Sequence, residues 1–525
     1  MSEWISTVTK VVAAGVVAAV AALASGSAFG ADAATCKSLT ATDFGQVLDA
    51  PTRLSTADVI SARAGVPAYC KASGYVATNV GVEIRLPMSA WNGKLLFTGC
   101  GAMCGTMLGA AACDDAVARG YACATTDMGH RGLPYDGKWA YNNPIAETDL
   151  GHRATHVAAV AAKAIITAFY GADIDKSYYR GCSTGGRQGL IAAQRYPYDF
   201  DGIIAGSPVL YQLMGPPLQL FWGVTANLDT NGDPILSERK LPALAKAALD
   251  ACDAVDGLKD GLIDAPMECD FDPSVLRCSG APDDNCLTDA EIAVVKKMYD
   301  GPPPPEGKSF APLGMLPGSE LNWGGYFRGG KQSPNYGFAG ELLRYLVFAD
   351  DPGPSYEPTM FDWQRDPQRL NLSVQTAANP DLSLFRDGGG KLIIFHGLAD
   401  SAIMASSTTS YFDMVTRTMG GAEATGEFAK LYLPAGLGHC TGGPGLNTVD
   451  FLTALENWVE RGEGPDGLTA YNIENTQPVA TLPVGFKPSQ AKFARPVFPY
   501  PARAVYDGSG DWKDPRNFTR GSSGD

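Results

Sequence analysis

The sequence predicts an α/β protein, and three observations carry that prediction. Short apolar runs alternate with helical stretches over residues 35–210, the pattern of strands that pair in parallel across helical crossovers. Hydrophobic residues make up 45% of the 525 and charged residues only 18%, which excludes a disordered or coiled-coil chain. The 61 glycines and 36 prolines supply more turn chemistry than a helical bundle carries. The length allows about three or four domain-lengths or one large elaborated domain. A formal charge of −15 would repel a phosphate backbone, so nucleic acid is excluded as a partner.

The elements follow in order. Lys10, an apolar run from Val11 to Ala24 and the small residues Ala28 and Gly30 read as an export signal over residues 1–30. That run is shorter than the ~20 residues of a membrane span, although a retained anchor is the alternative reading. A secreted or periplasmic protein, free of the membrane once the signal is cleaved, is the expectation. Lys94–Phe97 and Tyr121–Thr126 read as buried strands, Ala154–Ala168 as a helix, and Ser177–Arg180 as a strand entering a glycine-rich turn. These belong to the first part of an α/β domain, residues 31–210.

Over residues 211–378 the alternation stops. Four cysteines, acidic clusters, a proline run at 302–305 and the aromatics Trp323, Tyr326, Phe327, Tyr345, Phe348 and Trp363 take its place. This stretch is expected to be a lid inserted into the α/β domain, with most of those aromatics forming its own core. The domain resumes over residues 379–525, with strands at Lys391–Phe395 and Phe428–Leu433 and an amphipathic helix at Phe451–Arg461. The tail from Pro499 reads as a docked extended segment.

The strongest local signal is Gly181-Cys182-Ser183-Thr184-Gly185-Gly186, placed between a strand and a helix. G-x-S-x-G in that context is a nucleophile elbow, a turn that lifts the serine above the sheet. The amide of Thr184, at the helix start, can then face a developing oxyanion. The base must come from His130, His152, His156, His396 or His439. In α/β-hydrolases the acid and then the base follow the serine, which selects Asp400, after the strand at 391–395, and His439, in a glycine-rich loop. His130, His152 and His156 precede the serine and are read as structural, and His396 as a hydrogen-bonded wall residue of the substrate site.

Twelve cysteines in an exported chain imply up to six disulfides. Cys100-x3-Cys104 has no partner motif for zinc. Cys182 precedes the serine and Cys440 follows the histidine. If Ser183 and His439 meet, their neighbours fall within bonding distance, and a Cys182–Cys440 disulfide would staple base to nucleophile.

C-S-T-G-G, H-C-x-G-G and an aspartate between them resemble the tannase/feruloyl esterase family, a family that also includes hydrolases of mono(2-hydroxyethyl) terephthalate. The resemblance runs through most of the mature chain. It implies an α/β-hydrolase fold with an inserted lid, the triad Ser183, His439 and Asp400, and the disulfide beside it. It also implies oxyanion donors at Thr184 and at Gly101, in the loop Thr98–Gly105. That loop departs from a plain glycine run by carrying Cys100 and Cys104, which bridges to Cys113 and Cys123 would stiffen; the sequence leaves the pairing of these four open. By the same resemblance Asp253, Asp256 and Asp260 would hold a structural calcium ion with their side chains, and Leu258 and Leu262 with their carbonyls; a solvated acidic turn is the alternative. Cys252–Cys269, Cys278–Cys286 and Cys36–Cys70 complete the expected disulfides.

The implied activity is hydrolysis of small esters of aromatic acids, of feruloyl, hydroxycinnamoyl or galloyl type, with His396, Ala402 and Ile403 at the substrate. An aromatic residue at position 403 would stack on a terephthalate ring, and Ile403 points away from that substrate. A secreted binding protein that kept the scaffold, and a peptidase, are the competing readings.

Overall fold

The computed structural model describes residues 32–210, 216–304, 306, 314–371, 374, 376–474 and 481–521; the expected export signal lies outside them. Nine strands form the main sheet: β1 (Thr52–Ile60), β2 (Tyr69–Val76), β3 (Val80–Pro87), β4 (Lys94–Thr98), β5 (Ala122–Thr126), β6 (Lys176–Cys182), β7 (Gly202–Gly206), β8 (Lys391–Phe395) and β9 (Ala429–Tyr432). Their spatial order is β1-β2-β3-β5-β4-β6-β7-β8-β9. The pairs from β5 through β9 are all parallel, and β1 to β3 extend the sheet antiparallel at one edge. This is the α/β-hydrolase fold.

Helices α1 (Ala154–Tyr170) and α2 (Thr184–Arg195) follow β5 and β6. Between β7 and β8 the chain leaves the sheet, and its longer helices are α3 (Pro216–Ala226), α4 (Leu241–Cys252), α5 (Asp289–Asp300) and α6 (Pro334–Tyr345). Among the described residues this connection contains no strand. α7 (Ala405–Thr418) follows β8, and α8 (Phe451–Arg461) comes after β9.

The central strands are apolar on both faces, as a sheet covered twice must be. Leu95, Phe97, Ile203, Leu392 and Ile394 face α1, α2 and α7, whereas Leu96, Ile204, Ile393 and Phe395 face α8 through Phe451, Leu455 and Trp458. The two-residue alternation of a strand thus feeds two separate cores. α1 is an alanine-rich run whose small side chains let it lie close to the sheet, and it stops at Gly171, in the left-handed conformation at φ 64°.

The tail from Pro499 docks beside β9, the Tyr500 amide donating to Leu431 O at 2.8 Å, and the C-terminal part also carries two small sheets that the sequence did not announce. β10 (Thr448–Val449), β11 (Leu468–Asn472) and β12 (Phe493–Val497) make a small antiparallel sheet, and β13 (Arg503–Tyr506) pairs with β14 (Phe518–Gly521). The pairing partners lie well apart in sequence, so no short hairpin signal marks them. Among the described residues no helix is long and apolar enough to cross a membrane.

Candidate active site

Ser183 sits where β6 turns into α2, with φ 62° and ψ −122°, a conformation a side-chain-bearing residue adopts only when its surroundings enforce it. The enforcement is local. The Ser183 amide donates to Gly206 O on β7 at 2.9 Å, so the elbow is tied to the neighbouring strand. A Cβ on Gly181 would lie 2.6 Å from the Gly185 carbonyl oxygen, and one on Gly185 would lie 2.9 Å from the Cys100 carbonyl oxygen. Both positions therefore need glycine for the turn to close. Although Ser183 precedes the first turn of α2, its hydroxyl does not cap the helix, which leaves it for another partner.

The loop after β8 carries Asp400, with its side chain fully buried. Its Oδ1 accepts from the amides of Ala402 at 2.8 Å and Ile403 at 3.0 Å, and its Oδ2 lies 2.7 Å from His439 Nδ1. A carboxylate only accepts, so Nδ1 carries the proton and Nε2 is left as the basic nitrogen. Burial alone would raise the Asp400 pKa, but the charge of His439 and hydrogen bonds from His396 and His439 hold it well below the ordinary carboxylate range. For His439 burial works against protonation, and the Asp400 charge outweighs it, so its pKa stands above 6.5.

His396 is a correction. Expected at the substrate, it is fully buried behind Asp400 and is not part of the cavity wall. Its Nε2 lies 2.9 Å from Ile403 O and 3.3 Å from Asp400 Oδ2, and its Nδ1 lies 2.8 Å from Thr408 Oγ1. As the last residue before the turn its side chain points under the loop toward α7, where it buttresses the carboxylate. Ala402 and Ile403 do line the cavity.

Ser183, His439, Thr184 and Gly101 open on one cavity of about 620 Å³. Cys182 and Cys440 are joined, with Cα atoms 5.8 Å apart, so the loops bearing Ser183 and His439 are tied side by side. Cys36–Cys70, Cys252–Cys269 and Cys278–Cys286 pair as expected. Of the remaining four, whose pairing the sequence left open, Cys100 bonds Cys104 and Cys113 bonds Cys123. A tight turn, with the Cys104 amide donating to Gly101 O at 3.0 Å, brings Cys104 back onto Cys100, while Cys113 faces β5 from the helix packed beside it. His130 stacks on Trp139, His152 meets Tyr196, and His156 pairs with Asp199, all away from the cavity.

The far wall comes from the β7–β8 connection: Leu220, Tyr326, Asn335, Phe338, Leu342 and Leu346. Of the six aromatics noted in the sequence, only Tyr326 lines the cavity; Trp323, Phe327, Tyr345 and Phe348 are buried in the connection's own core. The connection also grips the Asp400 loop. Asn322 Nδ2 donates to Ala399 O at 2.8 Å, the Tyr326 hydroxyl to Ser401 O at 3.0 Å, and Ser401 Oγ to Asn322 O at 2.9 Å.

The acidic loop packs elsewhere, behind the site: Leu262 lies beside Leu398, Ala399 and Gly436. Asp253 accepts from the amides of Asp260 and Gly261, Asp256 from that of Leu258, and Asp260 from that of Leu262. Arg495, from β12, pairs with Asp260 and approaches Asp264 at 3.9 Å. Sequence reasoning gave no sign of this arginine. Burial raises the pKa of Asp256, and raises Asp264 to about 7. Among the described residues no three carboxylates converge into a ready cage. The hard oxygen donors, crowded in excess of the facing positive charge, nevertheless fit a calcium ion in chemistry.

Residues 64–520 match the family described as tannase and feruloyl esterase. The chain belongs to this family. It is accordingly a carboxylic ester hydrolase. A mono(2-hydroxyethyl) terephthalate hydrolase of Piscinibacter sakaiensis is 32% identical over 533 residues, covering 88% of this chain and 86% of the relative. A probable feruloyl esterase B-2 of Aspergillus terreus is 31% identical, over 85% of this chain and 84% of its own. The crystal structure of feruloyl esterase B from Aspergillus oryzae superposes with a TM-score of 0.79 at 27% identity, covering 93% of this chain and all of that one.

Proposed function

We propose that this family member is a secreted or periplasmic serine esterase that cleaves small esters of neutral aromatic acids, of feruloyl, hydroxycinnamoyl or galloyl type, through an acyl-enzyme. The observation that carries the reading is that His439, paired with the buried Asp400, opens on the same cavity as Ser183, the loops of Ser183 and His439 being tied by Cys182–Cys440. Ser183 Oγ attacks the ester carbonyl and passes its proton to His439 Nε2, which returns it to the departing alcohol; water then repeats the sequence to release the acid. Asp400 holds the tautomer and stabilises the imidazolium. The amides of Thr184 and Gly101 receive the oxyanion.

The cavity wall favours a neutral acyl group. It is built largely from Leu150, Leu220, Phe338, Leu342, Leu346 and Ile403. Among the described residues its one guanidinium or ammonium group is that of Arg187, which is buried and donates to Gly151 O at 3.1 Å and Leu150 O at 3.2 Å. A terephthalate monoester would bring a free carboxylate into this largely apolar wall, where burying it costs more than burying a neutral ring. The relationship to the terephthalate-monoester hydrolase keeps that substrate as the second reading.

The β7–β8 connection acts as the lid, giving the acyl wall and bracing the Asp400 loop. A calcium ion held by Asp253, Asp256 and Asp260 with the carbonyls of Leu258 and Leu262 would be structural, its charge offsetting the crowded carboxylates. Six disulfides support an oxidising compartment.

The test compares methyl ferulate, methyl gallate and mono(2-hydroxyethyl) terephthalate with wild type and Ser183→Ala, alongside labelling by a fluorophosphonate probe. The proposal expects fast labelling, turnover of the two neutral aromatic esters, and loss of both in the variant. Wild-type protein that neither labels nor turns over would instead be a binding protein on this scaffold, and preference for the terephthalate ester would select the second reading.

A further inference from the structure

We propose that the Thr184 hydroxyl and the Cys100–Cys104 ring are positioning elements that hold the oxyanion-binding loop in register with the helix carrying the serine. This rests on the reading of Ser183 as nucleophile and adds to it side chains that act on the loop rather than on the reacting atoms. The loop is improbable if left to itself. Ala102 at φ 51° and Cys104 at φ 56° both occupy the left-handed region, which disfavours residues bearing a Cβ. Among the described residues neither the Gly101 nor the Ala102 amide donates to a protein acceptor, and both residues line the cavity beside Ser183. Two free amides on a strained turn will stay aimed only if the turn is held from outside.

Four contacts hold it. The Cys100–Cys104 disulfide closes Gly101-Ala102-Met103 into a small ring. The Met103 amide donates to Pro134 O at 2.9 Å. The Thr184 hydroxyl donates to Ala102 O at 2.6 Å, and the Gln188 side-chain amide reaches Cys100 Sγ at 3.1 Å. Thr184 and Gln188 stand four residues apart on α2, hence on one face of the helix. Gln188 is itself fixed by the Tyr179 hydroxyl, which donates to its Oε1 at 2.9 Å. One face of the nucleophile helix therefore grips the carbonyl side of the loop while its first amide points into the same cavity. Thr184 contributes twice, with its amide as a donor and with its hydroxyl as the link that sets the distance between the two donors. The disulfide does for this loop what Cys182–Cys440 does for the loop of His439.

A donor displaced by about 1 Å costs on the order of a hundredfold in rate, and the loss falls on the transition state rather than on substrate binding. Thr184→Val keeps the shape and backbone amide but removes the hydroxyl, and it should lower kcat for methyl ferulate about 10- to 100-fold with KM changed less than about threefold. Thr184→Ser should restore most of the rate. The Cys100→Ala/Cys104→Ala variant should show the same kcat-selective loss with an unchanged affinity for ferulate as a product inhibitor. Combined with Thr184→Val it should cost less than the product of the separate losses, because both act on one loop. Thr184→Val with wild-type kcat, a serine variant that does not rescue, or a loss expressed in KM would each overturn the inference. Turnover surviving Ser183→Ala would bring down the nucleophile assignment, a different result from any of these.

Discussion

The two sides of the cavity are built in opposite ways. On the sheet side, Ser183, His439 and Asp400 sit on loops at the carboxyl ends of β6, β9 and β8, and each is held by a directional bond: the Gly206 carbonyl, the Cys182–Cys440 disulfide, the amides of Ala402 and Ile403. On the far side, Leu220, Phe338 and Leu342 present apolar side chains from helices of the β7–β8 connection. Chemistry needs atoms fixed to fractions of an ångström, and hydrogen bonds and disulfides supply that. Acyl recognition needs volume and apolarity, which several side chains can supply interchangeably.

The contrast predicts that changes on the sheet side act on rate and changes on the far side on selectivity. The largest loss after Ser183→Ala is expected from Asp400→Asn, about 10⁴-fold in kcat with methyl ferulate, because the asparagine permits the wrong imidazole tautomer. The pH profile sharpens the point. Turnover needs neutral His439, and the Asp400 charge raises its pKa, so kcat/KM should fall as pH drops through a midpoint above 6.5. Without that charge the residual activity of Asp400→Asn should keep its rate to a lower pH. An acid limb that does not move would break the link between the two residues.

On the far side, Leu342→Ala should raise KM for methyl ferulate roughly tenfold, the low end of what one methylene contact is worth in an apolar pocket, while kcat stays within a few-fold. A kcat-dominated effect there would erase the contrast. Chelation should lower the melting temperature and leave kcat at 25 °C unchanged; calcium at a hundred times its Kd would add about 2.7 kcal/mol to stability, and an unchanged melting curve would remove the calcium assignment. At the small end, Lys246→Ala breaks only an exposed pair with Asp250 on α4, and should shift stability by less than about 0.5 kcal/mol.

The same contrast explains what could be read from the sequence. The elbow around Ser183 was legible because the backbone itself demands glycine at 181 and 185, and His439 because it follows the serine and the acid in chain order, a choice the cysteines beside the two loops strengthened. The parallel strands were legible as apolar runs buried on both faces. The far wall was not, since a leucine facing a cavity and a leucine facing a core look alike in one dimension; Tyr326 and Trp323 stand three residues apart, yet only Tyr326 reaches the cavity. His396 was misplaced for a related reason, because position after a strand does not say whether a side chain turns up into the site or under it. Arg495 and the local closure of Cys100 on Cys104 depend on contacts that no spacing rule encodes.

The most direct test is to quench wild-type enzyme during turnover of methyl ferulate and map the acylated peptide by mass spectrometry. The account predicts a feruloyl adduct on Ser183 that disappears when substrate is exhausted; steady turnover with no adduct there, or with an adduct on another residue, would contradict it.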